Sequence, residues 1–277
     1  FQAHERNQRL VCFDTSIQVV PKENFSLLGE ISFALNDSQF QLYYQPKIDL
    51  CTRNVVGLEA LIRWNHPSLG LIPPFKFINQ AENSGLIQPI TFWVIKTGLT
   101  QLAQWRQEGL DVSLAINISA RNLTDGALYD FIENQLTLHG IPADKVELEL
   151  TESALMTDFD QALDYLSEMK KLGLRLAIDD FGTGHSSLAY LKRLPVDSLK
   201  IDQTFVRDIT QDTSDQEIVK TIIDLAKTLS IQSVAEGVED EKTGSLLVKM
   251  GCNSAQGYHF SKPMPAEDVF GWITHWQ

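Results

Sequence analysis

From about Val112 onward the chain alternates short apolar runs with stretches of helical spacing, and this alternation constrains the fold more than any other feature. Strand-like runs stand at Val112 to Ile116, Val146 to Leu150, Leu176 to Ile178, Val196 to Ile201 and Ile231 to Ala235. Helices follow at Leu128 to Leu136, Phe159 to Leu172, Ser187 to Lys192, Asp215 to Leu229 and Glu241 to Met250, with Gly140 and Gly173 as stops. Repeated strand–helix units require a parallel sheet. Their number, with no linker between halves, favours a closed barrel over an open sheet. Upstream, the apolar runs Phe40 to Tyr44 and Val55 to Ile62 flank a polar turn at Cys51-Thr52-Arg53-Asn54, which reads as a hairpin. The expected fold is therefore α/β: a TIM-like (β/α)8 barrel whose first strand runs antiparallel to the others. A chain of 277 residues with 43% hydrophobic content can fill such a core.

In an α/β barrel the chemistry sits where strands end, so the question is what each strand delivers there. The second carries Glu59, and the third ends in Asn117-Ile118-Ser119. The fourth gives Glu149 and Glu152, the fifth Asp179 and Asp180, and the sixth Lys200 and Asp202. Glu236 and Glu239 follow the seventh, and Gln256 the eighth. These are hard oxygen donors with one lysine, a set that suits Mg²⁺ or Mn²⁺ better than zinc. Adjacent carboxylates such as Asp179 and Asp180 do not both ionise cheaply without a cation beside them. Any one of these residues alone is explained by a solvated strand end or an Asx-turn. Seven strand ends in succession point to a site.

Other chemistries lack their signatures. The six histidines are scattered without a zinc pattern, so His66 and His259 read as packed or surface residues. Gly182-Thr183-Gly184 lacks the spacing of a dinucleotide fingerprint or a P-loop. Cys12, Cys51 and Cys252 form no paired motif, which fits a reducing, cytoplasmic location. A net charge of −13 argues against binding a nucleic acid polymer. No window approaches the roughly eighteen apolar residues of a membrane span.

The block Gly57-Leu58-Glu59-Ala60-Leu61-Ile62-Arg63-Trp64 contains the letters Glu-Ala-Leu. With it stand Tyr44-Gln45-Pro46-Lys47, Asn117-Ile118-Ser119-Ala120, Glu149-Leu150-Thr151-Glu152 and Asp179-Asp180-Phe181-Gly182-Thr183-Gly184. Leu199-Lys200-Ile201-Asp202, Ala235-Glu236-Gly237-Val238-Glu239 and Gln256-Gly257-Tyr258 complete the series. From about Ile31 onward the chain resembles the EAL-domain family of cyclic di-GMP phosphodiesterases. The resemblance implies two Mg²⁺ or Mn²⁺ ions per site. Glu59, Asn117, Glu149 and Asp179 match ligands of the first, and Asp180 a ligand of the second, with Asp179 bridging. Glu236 matches a further acid of the metal shell, and Gln256 a residue that holds metal-bound water. Lys200 matches the catalytic lysine, with Glu59 and Glu236 completing the catalytic set. Gln45, Leu61, Arg63 and Glu239 match positions that hold phosphates or guanines, and Asp202 and Gln256 join them on the substrate side. Glu152 matches an acid that anchors the loop after the fifth strand and couples metal binding to homodimer contacts. His185 departs from the family's usual tyrosine, and Asn253 from its usual aspartate.

The resemblance divides the chain into a segment 1–21, similar to the tail of a diguanylate-cyclase-like domain, and a phosphodiesterase domain 22–277. The parent protein is then a longer signalling chain, with a membrane anchor as one option. The expected reaction is hydrolysis of cyclic di-GMP to linear pGpG. Two alternatives stay open at this point: a catalytically silent cyclic di-GMP-binding sensor, and a glycosidase using two of the acids.

Overall fold

The computed structural model describes residues 22–124, 126–184 and 188–276. The segment 1–21 and His185 lie outside the described residues. The strands, in chain order, are β1 (Phe40–Asp49), β2 (Val55–His66), β3 (Gly70–Ile72), β4 (Ser113–Asn117), β5 (Val146–Thr151), β6 (Arg175–Phe181), β7 (Ser198–Ile201), β8 (Gln232–Ala235), β9 (Ser254–Ala255) and β10 (Met264–Pro265). The α-helices are α1 (Lys22–Asn36), α2 (Ile78–Ser84), α3 (Ile87–Gln107), α4 (Ala127–His139), α5 (Glu152–Thr157), α6 (Phe159–Leu172), α7 (Leu188–Leu191), α8 (Gln203–Val206), α9 (Thr213–Leu229), α10 (Glu241–Met250) and α11 (Ala266–Trp276).

The sheet closes on itself. β2, β4, β5, β6, β7, β8 and β9 form consecutive parallel pairs, and β1 joins β2 to β9 by antiparallel pairing on both edges. The barrel has eight strands with the first reversed, as the hairpin spacing predicts; β3 and β10 are short additions on β2 and β1. Helix ends follow local chemistry: Asp158, Asp212 and Asp240 cap α6, α9 and α10 by accepting backbone N–H bonds. The Asp212 cap explains why α9 starts at Thr213, two residues before the periodicity suggests.

The apolar core lies between the strands and the surrounding helices. Leu99 and Leu102 of α3, Leu166 of α6 and Ile223 of α9 are buried, as are Leu114, Leu148, Leu176 and Leu199 of the strands. Gly98 allows the close approach, since a Cβ there would lie 3.0 Å from Leu114. Side chains of a strand alternate between its two faces, so Val146-Glu147-Leu148-Glu149-Leu150 sends leucines one way and acids the other. The acids meet Lys47 of β1, which is not a neighbour of β5 in the sheet, so the contact crosses the barrel interior. Polar groups thus occupy the barrel's centre and apolar groups its outer wall. No helix among the described residues is long and apolar enough to cross a membrane.

Candidate active site

Lys200, on β7, is 1% exposed and stands at the middle of the site. Its Nζ lies 2.6 Å from Glu149 Oε2, 2.8 Å from Glu236 Oε1, 3.1 Å from Asp179 Oδ1 and 3.6 Å from Glu59 Oε2. Asn117 Nδ2 donates to Glu59 Oε1 at 2.7 Å. Gln256 Nε2 donates to Glu59 Oε2 at 2.6 Å and to Glu236 Oε1 at 3.0 Å. Seven of the residues expected from the strand ends therefore converge on one another. Glu59 is the positional exception, since it sits well inside the twelve-residue β2 rather than at its end.

Burial alone would drive the proton off Lys200, but Glu149, Glu236, Glu59 and Asp179 raise its ammonium well above the ordinary value. Burial also disfavours charge on Glu149, yet Lys200 and Lys47 overcome it and hold the carboxyl down to about 2. Glu59 and Glu236 are pushed up, first by burial and then by neighbouring acids that Lys200 only partly offsets. One ammonium is thus shared among more carboxylates than it can neutralise.

The backbone at the end of β6 brings two adjacent acids together. Neighbours in a regular strand face opposite ways, but the pairing of β6 with β7 shifts register between Ile178 and Phe181, and Asp180 takes φ +53°. This left-handed conformation is uncommon for a residue with a side chain, and aspartate is among those that tolerate it. Carboxylate oxygens of Asp179, Asp180 and Glu236 then lie within 4.8 Å of one another. Burial, followed by Asp179 and Asp202, pushes Asp180 up to about 6. Gln256 Oε1 is buried and has no hydrogen-bond partner. An all-oxygen donor set with surplus negative charge and an orphaned acceptor fits a divalent cation.

The remaining expected residues surround this centre. Glu152 Oε2 accepts the backbone N–H of Gly182 at 2.9 Å and of Gly184 at 3.2 Å in the turn after β6. A Cβ on Gly184 would lie 2.8 Å from that carboxyl. Asp202 caps α8 through Thr204. A cavity of about 310 Å³ opens above the acids, and Gln45, Leu61, Arg63 and Glu239 all line it. Arg207 and Tyr258 line it too and were not foreseen in the sequence; Arg207 faces Glu239 at 3.8 Å.

Gly257 shows how tightly this wall is built: a Cβ there would lie 2.1 Å from the Val238 carbonyl oxygen. Gly257→Ala is expected to lower stability by about 2–3 kcal/mol and to displace Gln256, measured by denaturant unfolding and by divalent-ion affinity. Lys47 and Glu147 were also missed. Their signal lay in the strand alternation, since Lys47 follows Gln45 by two residues and Glu147 precedes Glu149 by two.

The family model for the EAL domain matches residues 29–263. The chain belongs to the EAL domain family. This EAL domain is 40% identical over 276 residues to the bifunctional diguanylate cyclase/cyclic di-GMP phosphodiesterase MucR of Pseudomonas aeruginosa, covering 99% of this chain and 40% of that protein. It is 43% identical over 243 residues to the cyclic di-GMP phosphodiesterase PdeR of Escherichia coli, covering 88% of this chain and 37% of the relative. The chain thus spans about two fifths of the length of these curated relatives. Among solved structures, the PaMucR phosphodiesterase in complex with c-di-GMP superposes with a TM-score of 0.85 at 42% identity, covering 88% of this chain and 99% of that one.

Proposed function

We propose that this EAL domain hydrolyses cyclic di-GMP to linear pGpG with the help of divalent ions, Mg²⁺ or Mn²⁺, two per site. The observation that carries the reading is the buried Lys200 held by four carboxylates beneath an open cavity. Asp179, Asp180 and Glu236 would hold ions, together with Glu59 and Glu149, whose oxygens reach the same centre, and Asn117, whose amide bonds Glu59. Such ions, when bound, lower the pKa of water and neutralise charge on a phosphodiester.

The chain's own residues do the rest. Lys200 is a fixed cation with three donors, and it stabilises charge that develops on the reacting phosphoryl oxygens. Of the two roles open to it, donor and base, the surrounding acids favour the donor. Asn117 and Gln256 fix the orientation of Glu59 by bonding both of its oxygens. Arg63, half-buried and 5.7 Å from the centre of the Tyr43 ring, supplies a cation on the cavity wall for a phosphate. Gln45, Leu61 and Glu239 complete the substrate side of the cavity, Asp202 supports it from behind as the cap of α8, and Glu152 keeps the turn after Asp180 in place. Homodimerisation and a cytoplasmic location are part of the same proposal, and sedimentation of the purified domain tests the first.

Nucleotide chromatography after incubation with cyclic di-GMP, with and without EDTA, tests the activity; intact substrate in the presence of Mg²⁺ and Mn²⁺ would overturn it. A pH dependence follows from Asp180. Its carboxyl titrates near 6 without an ion, so protons and cations compete for it. Manganese affinity, measured by calorimetry, is expected to be about tenfold weaker at pH 5 than at pH 7.

A further inference from the structure

The EAL domain contains a second buried lysine that the proposed reaction does not use. Lys47 of β1 has a side chain only 7% exposed. Its Nζ bonds Glu147 Oε1 and lies 3.1 Å from Glu149 Oε1. The other oxygen of Glu149 accepts from Lys200 at 2.6 Å. Glu147, Lys47, Glu149 and Lys200 therefore form one alternating line of charge through the barrel. Ser198 steadies its far end by donating to Glu147 Oε2 at 3.3 Å.

We propose that Lys47 is a positioning residue for the phosphodiesterase reaction, acting from the opposite end of the barrel through Glu149 on Lys200. A carboxylate held at one oxygen can turn about its last bond, whereas one held at both cannot. Lys47 also shares the neutralisation of Glu149. Without it, the Lys200 ammonium would be drawn toward Glu149 and away from Asp179 and Glu236, where the reacting phosphate is expected. Residues that orient a ligand from behind often matter nearly as much as the ligand itself.

The cavity beside Lys47 provides a way to test this. It measures about 480 Å³, is lined by Lys47, Glu147, Ser113, Asn253 and the exposed Arg175 and Gln232, and so reaches solvent. In Lys47→Ala, kcat is expected to fall by about 10–100-fold while KM changes by less than about twofold. Added n-propylammonium should restore much of kcat, and n-propanol at equal concentration should not. The same cation should raise the thermal midpoint of metal-free Lys47→Ala by about 2 °C or more and leave wild type unchanged. Lys47→Arg, which keeps the charge, should retain more activity than Lys47→Met.

The inference rests on the phosphodiesterase reading, and the outcomes separate the two. An inactive wild type would sink that reading, while the thermal response to propylammonium would still report on the cation site. An active wild type with an unimpaired Lys47→Ala variant would overturn the inference alone. Equal rescue by propanol, or a kcat loss that merely tracks the unfolded fraction, would also overturn it by reducing Lys47 to a packing role.

Discussion

Lys200→Met should lower the turnover of cyclic di-GMP by about 10²–10⁴-fold and destabilise the metal-free EAL domain by about 3–5 kcal/mol. The two effects have one origin. Glu149, Glu236, Asp179 and Glu59 all lie within 3.6 Å of Nζ. Methionine fills a similar volume, so the loss reports on charge rather than on a cavity. Saturating Mn²⁺ should recover much of the lost stability, because a cation again offsets the acids, and little of the turnover. Chromatography of product and denaturant unfolding with and without Mn²⁺ measure the pair. Full activity in Lys200→Met would remove the lysine from the mechanism.

Removing divalent ions should abolish turnover of the wild type and lower its thermal stability together. A ligand present at a hundred times its dissociation constant contributes about 2.7 kcal/mol, which corresponds to a fall in midpoint of about 5 °C for a chain of this size. Either Mg²⁺ or Mn²⁺ should reverse both losses. Turnover that persists in EDTA would overturn the metal-dependent reading and revive the two-carboxylate alternative. Binding of cyclic di-GMP without turnover, in the presence of either ion, would make the domain a silent binding module.

Much of this centre is legible in the sequence, because a barrel fixes where strands end and seven strands in succession deliver an oxygen donor or a lysine there. The reversed first strand followed from a hairpin turn at Cys51 to Asn54, and the parallel order from the strand–helix alternation. What could not be read was set by backbone geometry. Asp179 and Asp180 should face opposite ways in a regular strand, and only the register shift and φ +53° bring them to one side. Lys47 was hidden for another reason. A lysine in a strand ordinarily reads as solvent-facing, and its burial depends on Glu147 and Glu149, about a hundred positions away. Arg207 and Tyr258 were missed because they reach the cavity from connecting segments, where spacing carries little information.

The separation between a charged centre and an apolar wall bears on how such a domain can change by descent. The wall, with residues such as Leu99, Leu148 and Leu199, is independent of the acids, so the barrel can outlive its chemistry. The order of losses is nonetheless biased. A change such as Asp180→Asn removes a repulsion with Asp179 and Asp202 and suits the left-handed backbone, so drift accepts it easily. Losing Lys200 first strands four carboxylates and costs stability wherever no bound cation offsets them. Decay from catalyst to mute receptor should therefore shed acids before the lysine, and a lineage that keeps the lysine but lacks an acid is one caught on that path.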